Sequence, residues 1–181
     1  NEEEINRKIL EMTANDLFGH ISGDKTNTAA TESVTFMVDS FVTYNDEEKM
    51  SILLDVNVVT DDTYFADSYI YAINIDLVNG TIMDNGDIIE VDEDFAAMFR
   101  EKCCTQNGYD IEGLNNIEDS ELAELLADSD SNIVFFTPYG LEVGYSYEMQ
   151  NGYESSRGWM TITLKDYEQY LKTKEKAESE E

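Results

Sequence analysis

Few side chains in this chain of 181 residues are suited to catalysis near neutral pH. The single histidine, His20, follows Gly19 in a predicted connection, so we interpret it as a solvated loop residue. Cys103 and Cys104 are adjacent, and a disulfide between neighbours would strain their peptide bond, which favours two ordinary thiols on a helix. The glycine, serine and histidine motifs of nucleotide-binding loops, hydrolase elbows and zinc proteases are absent. We therefore predict that the chain is not an enzyme and has no organic cofactor.

Carboxylates are the abundant reactive groups, with 40 Asp and Glu against 11 Lys and Arg and a net charge of −29. At this density some pair falls at glycosidase spacing by chance, so paired carboxylates are weak evidence for a hydrolase. Calcium needs oxygen ligands in loops, and the densest candidates are Asp84–Asp87 and Asp92–Asp94. Neither stretch has the spacing of a helix–loop–helix calcium site, and a hairpin turn and a helix cap explain them equally. We predict no metal and keep calcium as the alternative.

The negative charge is concentrated in residues 39–131, which contain 24 acidic and 3 basic residues and have a net charge of −21. Phosphate binding needs a basic surface, so nucleic acid is excluded as a partner and anionic membranes are disfavoured. A cationic partner suits this field, and solubility alone is the other explanation. No stretch is long and apolar enough to cross a membrane, so we predict no direct insertion. Because the chain begins at Asn1 without Met, we expect a mature or truncated form.

Hydrophobic periodicity predicts an α+β fold, in which an antiparallel β-sheet of hairpins packs against a few helices. Alternation predicts strands over 34–44, 52–59, 69–77, 81–83, 133–136, 141–149 and 159–164. Helical spacing predicts helices over 2–18, 95–107, from 119 onward and over 166–176, the first and third of which cover the sheet. The strand near Tyr69 should turn Tyr69, Tyr71, Ile73, Ile75 and Leu77 to one buried face, with the other face wet. We expect one domain over 1–173, or two subdomains over 1–68 and 69–173, and a charged tail over 174–181.

Three segments carry a resemblance to a known family: Tyr71–Gly80, Asn132–Val143 and Trp159–Tyr167. The first contains the pattern Asn-x-Asp-Leu followed by a turn glycine, and the second contains Phe-Thr-x-x-Gly-Leu. Together with the order of the elements, these segments resemble the extracytoplasmic domain of RsiV-type anti-sigma factors, which are proteins that sense lysozyme. The same domain is also appended to peptidoglycan deacetylases. The chain departs from the pattern at Thr60–Asp67, where relatives often have a Gly-Gly-Ala-His-like segment.

The resemblance implies a secreted or cell-surface location, a membrane anchor outside this chain, and recognition without catalysis. A cationic protein such as lysozyme, or a cell-wall component, is the expected partner. Exposed loop aromatics suit such an interface, and the candidates are Tyr64, Phe65, Tyr109 and Tyr153, which could equally cover loop ends. The alternatives are a cell-wall hydrolase using Asp and Glu, which would need a deep cleft with two converging carboxylates, and a structural spacer.

Overall fold

The computed structural model describes residues 2–11, 34–60, 67–107, 112–128, 132–151 and 154–172. Within these ranges the chain forms strands, α-helices and two short 3-10 helices, which confirms the predicted α+β class. In chain order the elements are α1 (Glu2–Glu11), β1 (Val34–Asn45), β2 (Lys49–Thr60), β3 (Asp67–Asp76), β4 (Thr81–Met83), a 3-10 helix (Asn85–Asp87), α2 (Glu93–Asn107), α3 (Glu112–Asn115), α4 (Asp119–Ala127), β5 (Asn132–Thr137), β6 (Gly140–Asn151), β7 (Glu154–Leu164) and a second 3-10 helix (Tyr167–Tyr170).

The described strands form two antiparallel sheets, where the sequence predicted one. The first sheet has the order β1-β2-β3-β4 and the second has the order β5-β6-β7, so each strand pairs with its neighbour in the chain. β4 is only three residues long, after which the chain leaves the first sheet through a 3-10 helix and the helices that follow. The sheets therefore belong to separate runs of hairpins, as expected when helical segments interrupt the strand pattern.

One face of the first sheet carries the alternating apolar residues that the sequence indicated. Ile73 and Ile75 of β3 are buried in a cluster with residues of β2, and Tyr69, Tyr71 and Leu77 pack half-buried against it. The predicted register of β3 is therefore confirmed. Ile5 and Ile9 of α1 cover the same cluster, which gives the first helix the packing role expected of it.

The opposite face of β3 is buried too, so the prediction of a wet face was wrong. Ile70 and Ala72 form a second cluster with Ile133 and Phe135 of β5. Half-buried Leu53 of β2 packs against this cluster. The second sheet lies against this side of the first, and alternation alone could not reveal that contact because Ile70 and Ala72 are interspersed with polar residues.

The largest core lies between the second sheet and helices α2 and α4. Phe95 and Phe99 of α2 and Leu122 of α4 are buried in it, together with strand residues such as Val143 and Ile162. The acidic start of α2 is capped by Asp92, whose side chain accepts a hydrogen bond from the Phe95 N–H at 2.8 Å. The helix ends at Asn107, as predicted.

One predicted helix is described only in part, and another differs from the structure. The first is seen as α1 over 2–11, and residues 12–18 lie outside the described ranges. The closing helix over 166–176 was wrong for its described part, where a single 3-10 turn precedes a bridge between Leu171 and Ile89. The closing segment pairs with the residues before α2, because the Glu90 N–H donates a hydrogen bond to the Tyr170 carbonyl at 2.7 Å. This pairing replaces the hydrogen bonds of a helix. None of the described helices is long and apolar enough to span a membrane.

Candidate binding surface

The four loop aromatics proposed as binding residues, Tyr64, Phe65, Tyr109 and Tyr153, lie outside the described residues. They remain predictions. His20 lies outside them as well, so the geometry of a histidine-assisted site is not part of the described structure.

The two cysteines are free thiols near the end of α2. Cys103 is fully buried, and burial, with a smaller contribution from Cys104, raises the pKa of its thiol to about 12. A nucleophilic cysteine needs a lowered pKa because the thiolate is the reactive form. Cys103 is therefore packed as a small apolar residue of the core.

The carboxylates considered for calcium hold backbone turns. Asp84 accepts a hydrogen bond from the Gly86 N–H at 3.0 Å, and Asp92 caps α2. In the part of the chain that the structure describes, no group of three or more His, Cys, Asp or Glu side chains is arranged to hold a metal ion. The acidic residues seen here therefore have local structural roles.

Asn74, the asparagine of the Asn-x-Asp pattern, is fully buried and joins the two sheets. Its amide oxygen accepts a hydrogen bond from Ser51 Oγ at 2.5 Å, and its amide nitrogen donates to Asn85 Oδ1 at 2.8 Å and to the Val134 carbonyl at 2.6 Å. Ser51 Oγ in turn accepts from the Phe136 N–H at 3.0 Å. The motif asparagine is therefore part of the frame of the fold.

The glycine of the second pattern, Gly140, has a similar structural explanation, and so does Gly144 just after that segment. Gly140 has a φ of +145°, and a side chain there would overlap the carbonyl oxygen of Leu164. Gly144 is packed against the Met160 carbonyl in the same way. Both allow β7 to lie close to β6, so these positions need a residue without a Cβ.

A bulge in β1 directs Tyr44 to the side of the second sheet. The register shifts between Val42 and Tyr44, so one extra residue, Thr43, turns Tyr44 to the face of Ser51. There the ring of Tyr44 contacts that of Phe136, with centroids 6.1 Å apart. Lys49 Nζ lies 4.7 Å from the ring centroid of Phe136, 5.9 Å from that of Tyr44 and 6.0 Å from that of Tyr167. These are the distances of cation–π contacts. One of the few cations of the chain is thus held by aromatic rings.

The side chains of β1 before this bulge form an exposed apolar strip. Met37, Val38, Phe41 and Val42 are 51%, 41%, 52% and 62% exposed. We call these four residues the β1 strip. The register places Met37 and Phe41 on the face of Leu53, and Val38 and Val42 on the opposite face. Sequence reasoning missed the strip, although the adjacent apolar pairs Met37-Val38 and Phe41-Val42 break strict alternation and indicate apolar residues on both faces.

Acidic residues border the β1 strip. Asp39 is exposed between Met37 and Phe41 and lies directly across from Asp55 of β2. Like charges directly opposite each other on a sheet are destabilising. The turn that follows β1 adds exposed carboxylates at 46–48, and one of them, Asp46, has its pKa lowered by hydrogen bonds from the Lys49 backbone and the Tyr44 hydroxyl. The strip is therefore a hydrophobic surface within a negative field.

A cleft of about 210 Å³ lies elsewhere, between the end of α2, the end of β7 and the last 3-10 helix. Lys102 and Lys165 supply its ammonium groups, and Asp166 is its one carboxylate. Gln106 at its rim donates to the Thr163 carbonyl at 3.0 Å and accepts from the Thr163 N–H at 2.8 Å. That side chain therefore pairs with β7 as a neighbouring strand would.

No family model matches this chain, and no curated protein matches it. Among solved structures, it is similar to a crystal structure of a DUF3298 family member from Bacteroides fragilis, with a TM-score of 0.51 and 15% sequence identity. The similarity covers 94% of this chain and 68% of that chain. At this identity it shows a shared fold, which extends over nearly the whole chain.

Proposed function

We propose that this chain is a non-catalytic, extracytoplasmic binding module of a bacterial cell-surface protein, and that it recognises a cationic protein. The observation that carries the proposal is the β1 strip, four exposed apolar side chains on one strand within an acidic surface. Lysozyme is the specific candidate, because the sequence motifs resemble those of the RsiV-type domains.

The composition of the strip suits a protein interface. Interfaces have an apolar centre surrounded by polar groups, and burial of the centre supplies affinity while charges at the rim raise the rate of association. Met37 and Phe41, which share a face, supply such a centre, and Asp39 and the acidic turn at 46–48 supply the rim. The net charge of −29 favours a partner of positive charge.

A cell-wall hydrolase is the alternative from another class, and the cleft beside α2 does not fit its active site. A glycosidase needs two carboxyl groups facing one sugar, whereas this cleft has one carboxylate, Asp166, among its lining residues. A structural spacer, the third alternative, needs no exposed apolar strip, because such a surface adds a risk of aggregation without contributing to packing.

The test is retention of a basic lysozyme by the immobilised chain, compared with an equally basic, unrelated protein. We expect selective retention of lysozyme, with an association rate that falls about tenfold or more between low and high salt, since exposed charges are screened beyond about 8 Å at physiological ionic strength. Equal retention of both proteins would mean that only charge is recognised, and retention of neither would reject lysozyme as the partner.

Two variants separate the strip from general acidity. Phe41→Ser should weaken lysozyme binding about tenfold, because a central aromatic anchor is lost without a change in charge. Val78→Thr is the matched control, since Val78 is 70% exposed in the turn after β3, outside the strip. Equal binding by wild type and Phe41→Ser would remove the strip from the proposed site.

A further inference from the structure

The outer edge of β1 has no strand partner in the described part of the chain. β1 is the first strand of its sheet and pairs only with β2 there. It is 12 residues long, which corresponds to about 40 Å of extended backbone. Over residues 37–42, such an edge presents backbone N–H and C=O groups to an extended chain that approaches it.

The other sheet edges are short or have side chains hydrogen-bonded to them at one or two positions. β4 has three residues. At β5, the Val134 carbonyl accepts from Asn74 and the Phe136 N–H donates to Ser51, so side chains of the first sheet occupy that edge. At β7, Gln106 makes both hydrogen bonds to Thr163 that a strand would make.

β1 lacks most of the features that protect an edge. Natural edge strands are blocked by lysine, proline, short length or a β-bulge, and the bulge of β1 at Thr43 lies beyond residues 37–42. β1 is long, contains no lysine or proline, and has a single charged residue, Asp39. The β1 strip adds exposed apolar side chains on both faces of the same strand.

Charge decides which kind of chain fits this edge. Pairing of β1 with a second copy would bring together two molecules of net charge −29 and would add a carboxylate to the Asp39–Asp55 contact. A basic chain does the reverse, because one cation near Asp39 relieves the repulsion between these two side chains. The edge therefore favours a cationic partner over self-association.

We infer that the outer edge of β1 binds an extended basic segment of the partner protein as an additional strand. This inference rests on the proposed function and adds the mode of binding. Met37, Asp39 and Phe41 share a face, so the bound segment should place a lysine or arginine across from Asp39 and apolar residues two positions to either side. Backbone hydrogen bonds supply affinity, and this side-chain pattern supplies specificity.

The test uses a synthetic peptide of that pattern: valine, threonine, lysine, threonine, valine, with two lysines at each end. The control peptide has the same sequence and charge, but it carries N-methyl groups on every second backbone amide, which are the amides that would face β1. We expect the control to bind at least tenfold more weakly, because it cannot complete the hydrogen bonds. Equal binding of both peptides would overturn strand addition while leaving a charge-driven binding function intact.

Protein variants test the position of the added strand. Asp39→Asn should weaken binding of the unmethylated peptide about fivefold, whereas Glu124→Gln, which removes one exposed charge from α4, should leave it within twofold of wild type. Equal effects of the two substitutions would mean that the peptide senses only net charge, and would overturn the inference.

Hydrogen exchange measures the state of the edge directly. In the free protein at low salt, part of the backbone amides of 37–42 should exchange quickly, and the unmethylated peptide should protect them. Protection already present in the free protein would overturn the inference, because the edge would then be occupied by another segment of the chain or by a second copy. If lysozyme is retained but no peptide protects these amides, strand addition fails and the binding function stands. If neither lysozyme nor peptide binds, both fail.

Discussion

Replacing Asn74 by alanine should destabilise the protein more than any other single asparagine substitution in the described strands. The side chain of Asn74 is fully buried and makes three hydrogen bonds, to Ser51, Asn85 and the backbone of Val134. Truncation removes all three and leaves their partners in the contact region between the two sheets. The sheets would keep their apolar contacts but lose the polar link between them.

The magnitude follows from which partners stay buried. Ser51 is fully buried and Val134 is fully buried, and a buried polar group without a partner costs about 1–3 kcal/mol. Asn85 is only half-buried, so water can replace Asn74 as its donor. Two unsatisfied groups therefore give an expected loss of about 2–6 kcal/mol in the free energy of unfolding, a large part of the total for a domain of this size.

Urea unfolding followed by circular dichroism measures this loss, with Asn116→Ala as the control. Asn116 is exposed beyond the end of α3, and its substitution should change the free energy of unfolding by less than about 0.5 kcal/mol. A double-mutant cycle of Asn74→Ala with Ser51→Ala should give a coupling energy of about 1 kcal/mol, since the two side chains share a hydrogen bond. A loss no larger than that of the control would refute the role assigned to Asn74.

Four further expectations follow from the same structure. Ile75→Ala should cost about 2–5 kcal/mol in urea unfolding because Ile75 is fully buried, and a cost under 1 kcal/mol would contradict its place in the core. Lys49→Met should lower the free energy of unfolding by about 1–2 kcal/mol, whereas Lys49→Arg should lower it much less because arginine keeps a cation over the rings. Equal losses for the two variants would exclude the cation–π contact. The melting temperature should rise with added salt or a divalent cation, because repulsion within a chain of net charge −29 is screened, and no change would indicate local compensation. Iodoacetamide at pH 8 should label Cys103 only after unfolding, because burial raises the pKa of its thiol to about 12. Peptide mass spectrometry distinguishes it from the half-buried Cys104, and fast labelling of Cys103 itself in the native protein would disprove its burial.

Strand existence and register were largely predictable from the sequence, and the reason is the period of the pattern. In β3, Tyr71, Ile73 and Ile75 alternate with smaller or polar residues. This alternation places the three large side chains on one face of the sheet, whichever element packs against that face. The start of α2 was predictable as well, because a capping carboxylate at Asp92 precedes the helical spacing.

Contacts between elements were not predictable in the same way. Ala72 and Asn74 alternate with the apolar set and indicate a wet face, but β5 covers them, and nothing in the local sequence of β3 specifies β5. The closing segment has helical spacing at Tyr167 and Tyr170, yet these rings pack against Phe136 and Phe95, with centroids 5.7 and 5.3 Å away. Long-range aromatic contacts and a strand bridge replaced the local helical preference there.

The division between motif residues and surface residues has a consequence for function. The motif positions Asn74 and Gly140 join the sheets or allow close strand packing, and both residues are buried. The resemblance therefore bears on the fold more directly than on the ligand. The proposed recognition depends on exposed positions, and among the described residues the β1 strip with Asp39 combines exposure, apolar area and charge. A change at Phe41 or Asp39 could alter the partner while the fold stays intact, so binding experiments on β1 variants, with unfolding as the parallel measurement, separate recognition from stability.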